Sequence, residues 1–288
     1  MILITGASGN VGKEVLRQIV KTPATVRAAF QSPAKAVSSP SGVEIVIMDF
    51  NRPETLRSAL KGAETVFLVG PPTADLLALE RKAIDEMKHA GVRHVVKLSA
   101  MGGRGAIFPR QHADSEDYIQ RTGVPYTFLR PNGFMQNLVN YNAGTINSQN
   151  AFYGSQRDGK VSHVDVRDIG AVAVKTLTEA GHEGKAYTLT GPAALSNVEL
   201  AQILSDDLNR EIKYVDLSEA QLKQAMLAAG VPEWSANALC DLQRFYRDGG
   251  ASAVTGDVEQ LLRRKPTSFE QFSRDYRHAF LPQDRAVV

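Results

Sequence analysis

A chain of 288 residues, 43% hydrophobic and 22% charged with 33 Lys+Arg against 31 Asp+Glu, is long enough for a deep core and has the balance of a globular protein. Its formal charge of +2 is spread along the chain, which argues against nucleic acid or an anionic membrane as a partner, and no apolar run approaches the roughly 18 residues of a membrane span. The single cysteine, Cys240, excludes an intrachain disulfide and reads as a small core hydrophobe, so a reducing compartment, the cytoplasm, is expected, with no signal peptide ahead of Gly6.

From the N-terminus, short β-branched runs alternate with helical stretches. Strands are predicted at 2–5, 25–30, 43–48, 65–69 and 94–98, with helices at 11–20 and 75–90. Continuous apolar strands between such helices specify a parallel sheet covered on both faces. The pattern continues through a helix at 112–122 and a strand at 126–129, breaks at Arg130-Pro131-Asn132-Gly133, and resumes with a helix to about 148. Short strands near Phe152 and at 161–164 follow, then a helix at 166–178, a strand at 186–189, and a helical tail from Ser196 with one strand at 212–215. The expectation is an α/β chain. A Rossmann-type doubly wound parallel sheet occupies 1–150, and a smaller C-terminal α/β lobe occupies 151–288, interleaved with the first and without a clean linker.

Thr5-Gly6-Ala7-Ser8-Gly9-Asn10-Val11-Gly12 follows the first strand and opens a helix, the context in which a glycine pattern signals dinucleotide binding. Gly6 permits the tight turn, Gly9 lets backbone approach a pyrophosphate, Gly12 lets helix and strand pack, and the helix N-terminus supplies amides. An acid at the end of the second strand would hold the ribose of NAD, yet none stands between Glu14 and Glu44, while Arg27, Gln31, Ser32 and Lys35 do. The balance favours NADPH, with NADH as the weaker alternative, although Lys35 also reads as a solvated lysine. Asp49-Phe50 is placed either to meet the adenine or to form a plain turn. Val69, Gly70 and Pro71 after the fourth strand, Ser99 after the fifth, and Asn132 and Phe134 after the sixth complete the expected cofactor contacts, because ligands sit beyond carboxyl strand ends. Ser99 reads equally as a capping hydroxyl. One dinucleotide crevice leaves no evident flavin site, and the six histidines show no metal-ligand spacing.

Gly6-x-x-Gly9-x-x-Gly12, Val124-Pro125-Tyr126-Thr127-Phe128-Leu129-Arg130-Pro131 and Asp165-Val166-Arg167-Asp168-Ile169 resemble the NmrA-like branch of the atypical short-chain dehydrogenases over nearly the whole chain. Ala180-Gly181-His182-Glu183-Gly184-Lys185 and Ala229-Gly230-Val231-Pro232 are similar to segments of its flavin-free reductases of quinones, triphenylmethane dyes and azo dyes. Many relatives carry Arg where Gln31 stands, so a 2'-phosphate would rest here on Gln31, Ser32 and Lys35.

Carbonyl-reducing short-chain dehydrogenases use a Tyr-x-x-x-Lys pair, and none of the eight tyrosines has Lys four residues later. Where the resemblance places that pair stand Phe108 and His112, and His is also what the quinone and triphenylmethane reductases carry there. His112 would hydrogen-bond the nicotinamide end or protonate a reduced acceptor near neutral pH; read alone, it is a surface partner of Glu116. Ser99 is the second catalytic candidate. Without Tyr and Lys the site suits an easy hydride acceptor, for which proximity and orientation lower much of the barrier. Phe134, Met135, Asn137, Phe152, Tyr153 and Trp234 would form a flat apolar slot for a small aromatic substrate, or are core packing. The resemblance therefore implies an NADPH-dependent, flavin-free reductase of azo dyes, quinones or triphenylmethane dyes, a monomer or homodimer. The alternative is an NmrA-like sensor that binds NAD(P) and reports to a protein partner.

Overall fold

The computed structural model describes residues 1–36 and 40–281. In chain order the elements are β1 (Ile2–Ile4), α1 (Asn10–Ile19), β2 (Val26–Phe30), β3 (Glu44–Ile47), α2 (Pro53–Leu60), β4 (Thr65–Leu68), α3 (Leu76–His89), β5 (His94–Leu98), α4 (Ile107–Thr122) and β6 (Tyr126–Pro131). There follow α5 (Gln136–Gln149), β7 (Ala151–Gly154), β8 (Lys160–Val161), α6 (Val166–Thr178), β9 (Lys185–Leu189), β10 (Leu195–Ser196), α7 (Asn197–Leu208), β11 (Lys213–Asp216), α8 (Glu219–Ala228), α9 (Glu233–Arg247), α10 (Asp257–Leu262) and α11 (Phe269–Asp275).

Two compact units share the chain. The first takes Met1–Pro131, Val166–Leu189 and Asp257–Arg264, and the second takes Asn132–Asp165, Thr190–Gly256 and Lys265–Val288. The first unit holds a seven-stranded sheet in the order β3-β2-β1-β4-β5-β6-β9, every neighbouring pair parallel. This is the doubly wound α/β fold expected from the strand and helix alternation, with the order reversing next to β1. Its core includes Leu3, Leu56, Leu60, Val66, Leu68, Ile84, Met87, Val95 and Phe128, all sealed from water. Each such side chain contributes roughly 1.5–3 kcal/mol by leaving solvent.

In the second unit β11 pairs with β7 in parallel and β10 with β8 antiparallel. Its core gathers Met135, Ile146, Phe152, Leu204, Phe272 and Phe280. The expected break at Arg130-Pro131 lies later than predicted, because Pro131 closes β6: a proline that ends a strand forfeits no ladder donor there, and its carbonyl still accepts from the Met101 amide at 2.9 Å. The strand expected at 161–164 is only two residues long, and Val164 bridges Phe134 instead.

Candidate active site

The turn after β1 is made by backbone. Gly6 has φ +60, and a Cβ there would stand 2.9 Å from the Val69 side chain; a Cβ on Gly12 would overlap the Gly6 carbonyl oxygen. Two glycines are thus required, one by conformation and one by the close approach of α1 to the turn. The Gly9 amide donates to the Gly6 carbonyl at 2.9 Å. Gly9, the N-cap of α1, provides no side-chain cap, and the first turn of the helix carries no acid. Thr5 fastens this turn to the end of β4: its hydroxyl lies 3.1 Å from both the Phe67 and Val69 carbonyl oxygens and accepts from the Val69 amide at 2.7 Å. Ala7 and Val11 are buried, whereas Ser8 is half-buried and Gly9 and Asn10 are exposed. An uncapped helix start with approachable backbone fits a pyrophosphate, whose charge meets the helix dipole and the amides there.

At the end of β2 the exposed Lys35 ammonium donates to Gln31 Oε1 at 2.8 Å, with Ser32 between them as the N-cap of a short turn. Arg27, counted with them in the sequence, belongs elsewhere. Its guanidinium donates to the carbonyls of Ala59 and Lys61, both at 2.7 Å, and pairs with Glu44 at 2.9 Å. It ties the sheet edge together near the amino end of β2. Asp49 orders the turn before α2, accepting from the Asn51 amide through its carboxylate and exchanging backbone bonds with the Thr55 hydroxyl, while Phe50 packs on the core. Val69, Gly70 and Pro71 lie half-buried beyond β4.

Beside this turn stands a buried polar network that sequence reasoning missed. Lys97 on β5 and Glu80 on α3 have no exposed side-chain surface and form an ion pair at 2.5 Å. Glu80 Oε2 also accepts from the Ser115 hydroxyl at 2.5 Å, and Lys97 Nζ lies 3.3 Å from His112 Nδ1. Glu80 Oε1 is sealed without a hydrogen-bond partner and lies so close beneath Gly70 that a Cβ there would come within 2.6 Å of it. On the same helix as His112, Glu116 takes the Ser99 hydroxyl and, through Oε2, the Arg130 guanidinium at 2.5 Å. Burial and the Lys97 charge hold the His112 imidazole well below its ordinary range. That direction runs against the titration near neutrality expected of this residue and favours the neutral imidazole. Nor do His112 and Glu116 pair with each other, since each is engaged by a different partner. The Ser99 hydroxyl, donating to Glu116, has its proton committed.

One signal in the sequence would have found the network. Lys97 interrupts an apolar strand that the fold buries on both faces, and Glu80 falls in the buried stripe of α3 with Leu76, Leu79, Ala83, Ile84 and Met87. Two opposite charges on apolar faces predict one another, because a buried charge requires a partner.

The remaining candidates lie in the second unit. Asn132 is buried, its amide donating to Ser162 Oγ and the Ala251 carbonyl, both at 2.8 Å, while its carbonyl oxygen accepts from the Gly133 amide. Met135 and Phe152 are core residues, Phe134 and Trp234 are half-buried, Asn137 is exposed, and Tyr153 lies on the surface with its hydroxyl on Gln149. Among the described residues no three His, Cys, Asp or Glu side chains could hold a metal ion, and no helix is long and apolar enough to cross a membrane.

A parallel sheet of this order, with a glycine cradle and an uncapped helix after its first strand, defines a dinucleotide-binding Rossmann protein. Residues 1–273 match the NmrA-like family, and the chain belongs to it. The chain is similar to the NAD(P)H azoreductase of Xenophilus azovorans, 36% identical over 97% of this chain and 99% of that one. The NADPH-dependent quinone oxidoreductase of Escherichia coli complexed with NADPH superposes with a TM-score of 0.87 at 28% identity, covering 96% of this chain and all of that one. The Citrobacter triphenylmethane reductase complexed with NADP(H) does so with a TM-score of 0.86 at 27% identity, covering 96% and 99%.

Proposed function

We propose that this protein is an NADPH-dependent, flavin-free reductase of electrophilic aromatic acceptors: azo compounds, quinones and triphenylmethane dyes. The observation that carries this reading is the pairing of the glycine cradle with a Gln31–Lys35 contact and no acid at the end of β2. Three reductases similar over nearly the full chain, with azo, quinone and triphenylmethane substrates in their names, support the acceptor class.

Gly6, Ala7, Ser8, Gly9, Asn10 and Val11 would hold the pyrophosphate by backbone, and Gln31, Ser32 and Lys35 the 2'-phosphate. The bound dinucleotide would supply a hydride. The chain's own residues orient and polarise. Thr5 locks the phosphate turn to β4, Glu116 fixes Ser99 and Arg130, and His112 offers an imidazole next to Lys97 near the end of β5. No side chain here is a strong acid of the Tyr-Lys kind, so the chemistry belongs to acceptors with a low-lying orbital, for which positioning suffices.

Steady-state NADPH oxidation against a panel of quinones, azo dyes and triphenylmethane dyes tests the reading. Turnover by colourless protein, with NADPH bound more tightly than NADH, is the expected result. A bound flavin absorbance, or equal dissociation constants for the two nucleotides, would overturn the corresponding part. Tight NADPH binding with no turnover of any acceptor would favour the sensor.

A further inference from the structure

A lysine inside a sheet is an unusual occupant, and the reductase reading gives Lys97 no task. Its Nζ is fully buried, held on one side by the Glu80 carboxylate at 2.5 Å and 3.3 Å from Nδ1 of His112 on the other. An ammonium only donates, so Nδ1 must accept. A neutral imidazole that accepts at Nδ1 carries its single proton on Nε2. The ring is only partly buried, and Nε2, which has no partner among the described residues, is not one of the sealed polar atoms.

We infer that Lys97 is a positioning residue that fixes the tautomer of His112, so that the site presents a neutral Nε2–H donor rather than a lone pair or an imidazolium. Glu80 and Ser115 complete the device. Glu80 on α3 accepts from the Lys97 ammonium and aims it, and the Ser115 hydroxyl, one turn along α4 from His112, donates to the same carboxylate oxygen. On α4 itself Glu116 is occupied by Ser99 and Arg130, which leaves Lys97 as the charge that faces the ring.

The consequence is a selection of substrates, and this part rests on the reductase reading. A fixed N–H recognises an acceptor atom on which negative charge gathers as hydride arrives: a quinone oxygen or an azo nitrogen. His112 keeps its own proton, and water supplies the one that completes the reduction. A triphenylmethane cation takes hydride at carbon and offers no such atom at the reacting centre. His112 therefore discriminates for quinones and azo compounds and is idle toward the cationic dyes.

The test is spectroscopic and needs no substrate. Long-range ¹H–¹⁵N spectra of ¹⁵N-histidine-labelled protein at pH 7, with His112→Gln identifying the ring, should show an unprotonated Nδ1 and a protonated Nε2. A proton on Nδ1, or on both nitrogens, overturns the inference. A Lys97 side-chain ¹⁵N signal should read as an ammonium in the unaltered protein; a neutral amine, able to accept from Nδ1, would also overturn it. In Lys97→Met combined with Glu80→Gln, which leaves no unpaired buried charge, the two ring signals should move toward each other as the tautomers mix. Unchanged signals would mean that Lys97 does not set the tautomer. Protein that turns over no acceptor yet shows the Nε2–H form would refute the reductase reading and leave the lock intact.

Discussion

The glycine turn and the Lys97 network both belong to the sheet-bearing unit, and they are built by opposite means. The turn is made of main chain: its requirements are a positive φ at Gly6, the absence of a Cβ at Gly12, and a helix start with no cap. The network is made of side chains from three elements, Glu80 on α3, Lys97 on β5, and His112 and Ser115 on α4, and its requirements are charge and burial. A backbone site tolerates any side chain that keeps clear of it. A buried ionic site tolerates almost none, because removing one member strands its partner in a medium that cannot solvate it.

That contrast breaks first at Lys97. Lys97→Met should cost about 3–5 kcal/mol of stability, the range for orphaning a buried charge, and adding Glu80→Leu should recover most of it. Urea denaturation of the single and double variants measures both, and a single variant as stable as the parent would show the pair to be dispensable. Next is His112→Ala, which should lower quinone and azo turnover about 10²-fold, the loss expected for one positioned donor. Triphenylmethane turnover should stay within a few fold and so should the NADPH dissociation constant, since in the proposed binding mode most of the binding energy lies at the pyrophosphate and adenosine end. Equal losses for all three acceptors would remove the distinction.

Gly12→Ala attacks the other region. The added methyl meets the Gly6 carbonyl, so a destabilisation of about 1–3 kcal/mol is expected together with weakened NADPH binding, read by calorimetry. Acid sharpens the comparison without a mutation. His94, His112 and His182 are held below their usual range and His163 at about 4, desolvation leading in each case. The unfolded chain binds these protons first, so stability should be full above pH 6.5 and fall as pH drops from there toward 4, with net proton uptake on unfolding. A denaturation midpoint constant between about pH 7 and about 4.5 would contradict this. Smallest is Arg104→Ala, which breaks exposed pairs to Asp114 and Asp117 on α4. It should cost no more than about 1 kcal/mol, and a larger loss would mean that surface charge also supports the helix.

The glycine turn was legible because its signal is local: strand, glycine spacing and helix adjoin within twelve residues. The strands of the large sheet followed from the same kind of periodicity, with shifts at their ends, as where β6 runs through Pro131, whereas the short strand expected at 161–164 shrank to two residues. The network was legible only in part: Lys97 on an apolar strand and Glu80 on an apolar helix face each signal a buried partner, but the members come from 80, 97, 112 and 115, and no local spacing says which side chain meets which. His112 and Glu116 are spaced as a helical pair, yet β5 and β6 supply a competing partner for each. Arg27 misled for a similar reason: it is near Gln31 in the chain, but a strand carries it to the opposite end of the sheet edge.

That edge has a consequence for how such a protein diverges. Arg27 joins β2 to Glu44 on β3 and to the end of α2, adding a side-chain tie to the β2–β3 ladder at the margin of the fold. Nucleotide discrimination in the proposed reductase falls to Gln31, Ser32 and Lys35, beyond the last strand residue. Because the two tasks share no side chain, a lineage can exchange one nucleotide for the other by a step or two at the surface while its scaffold is inherited unchanged.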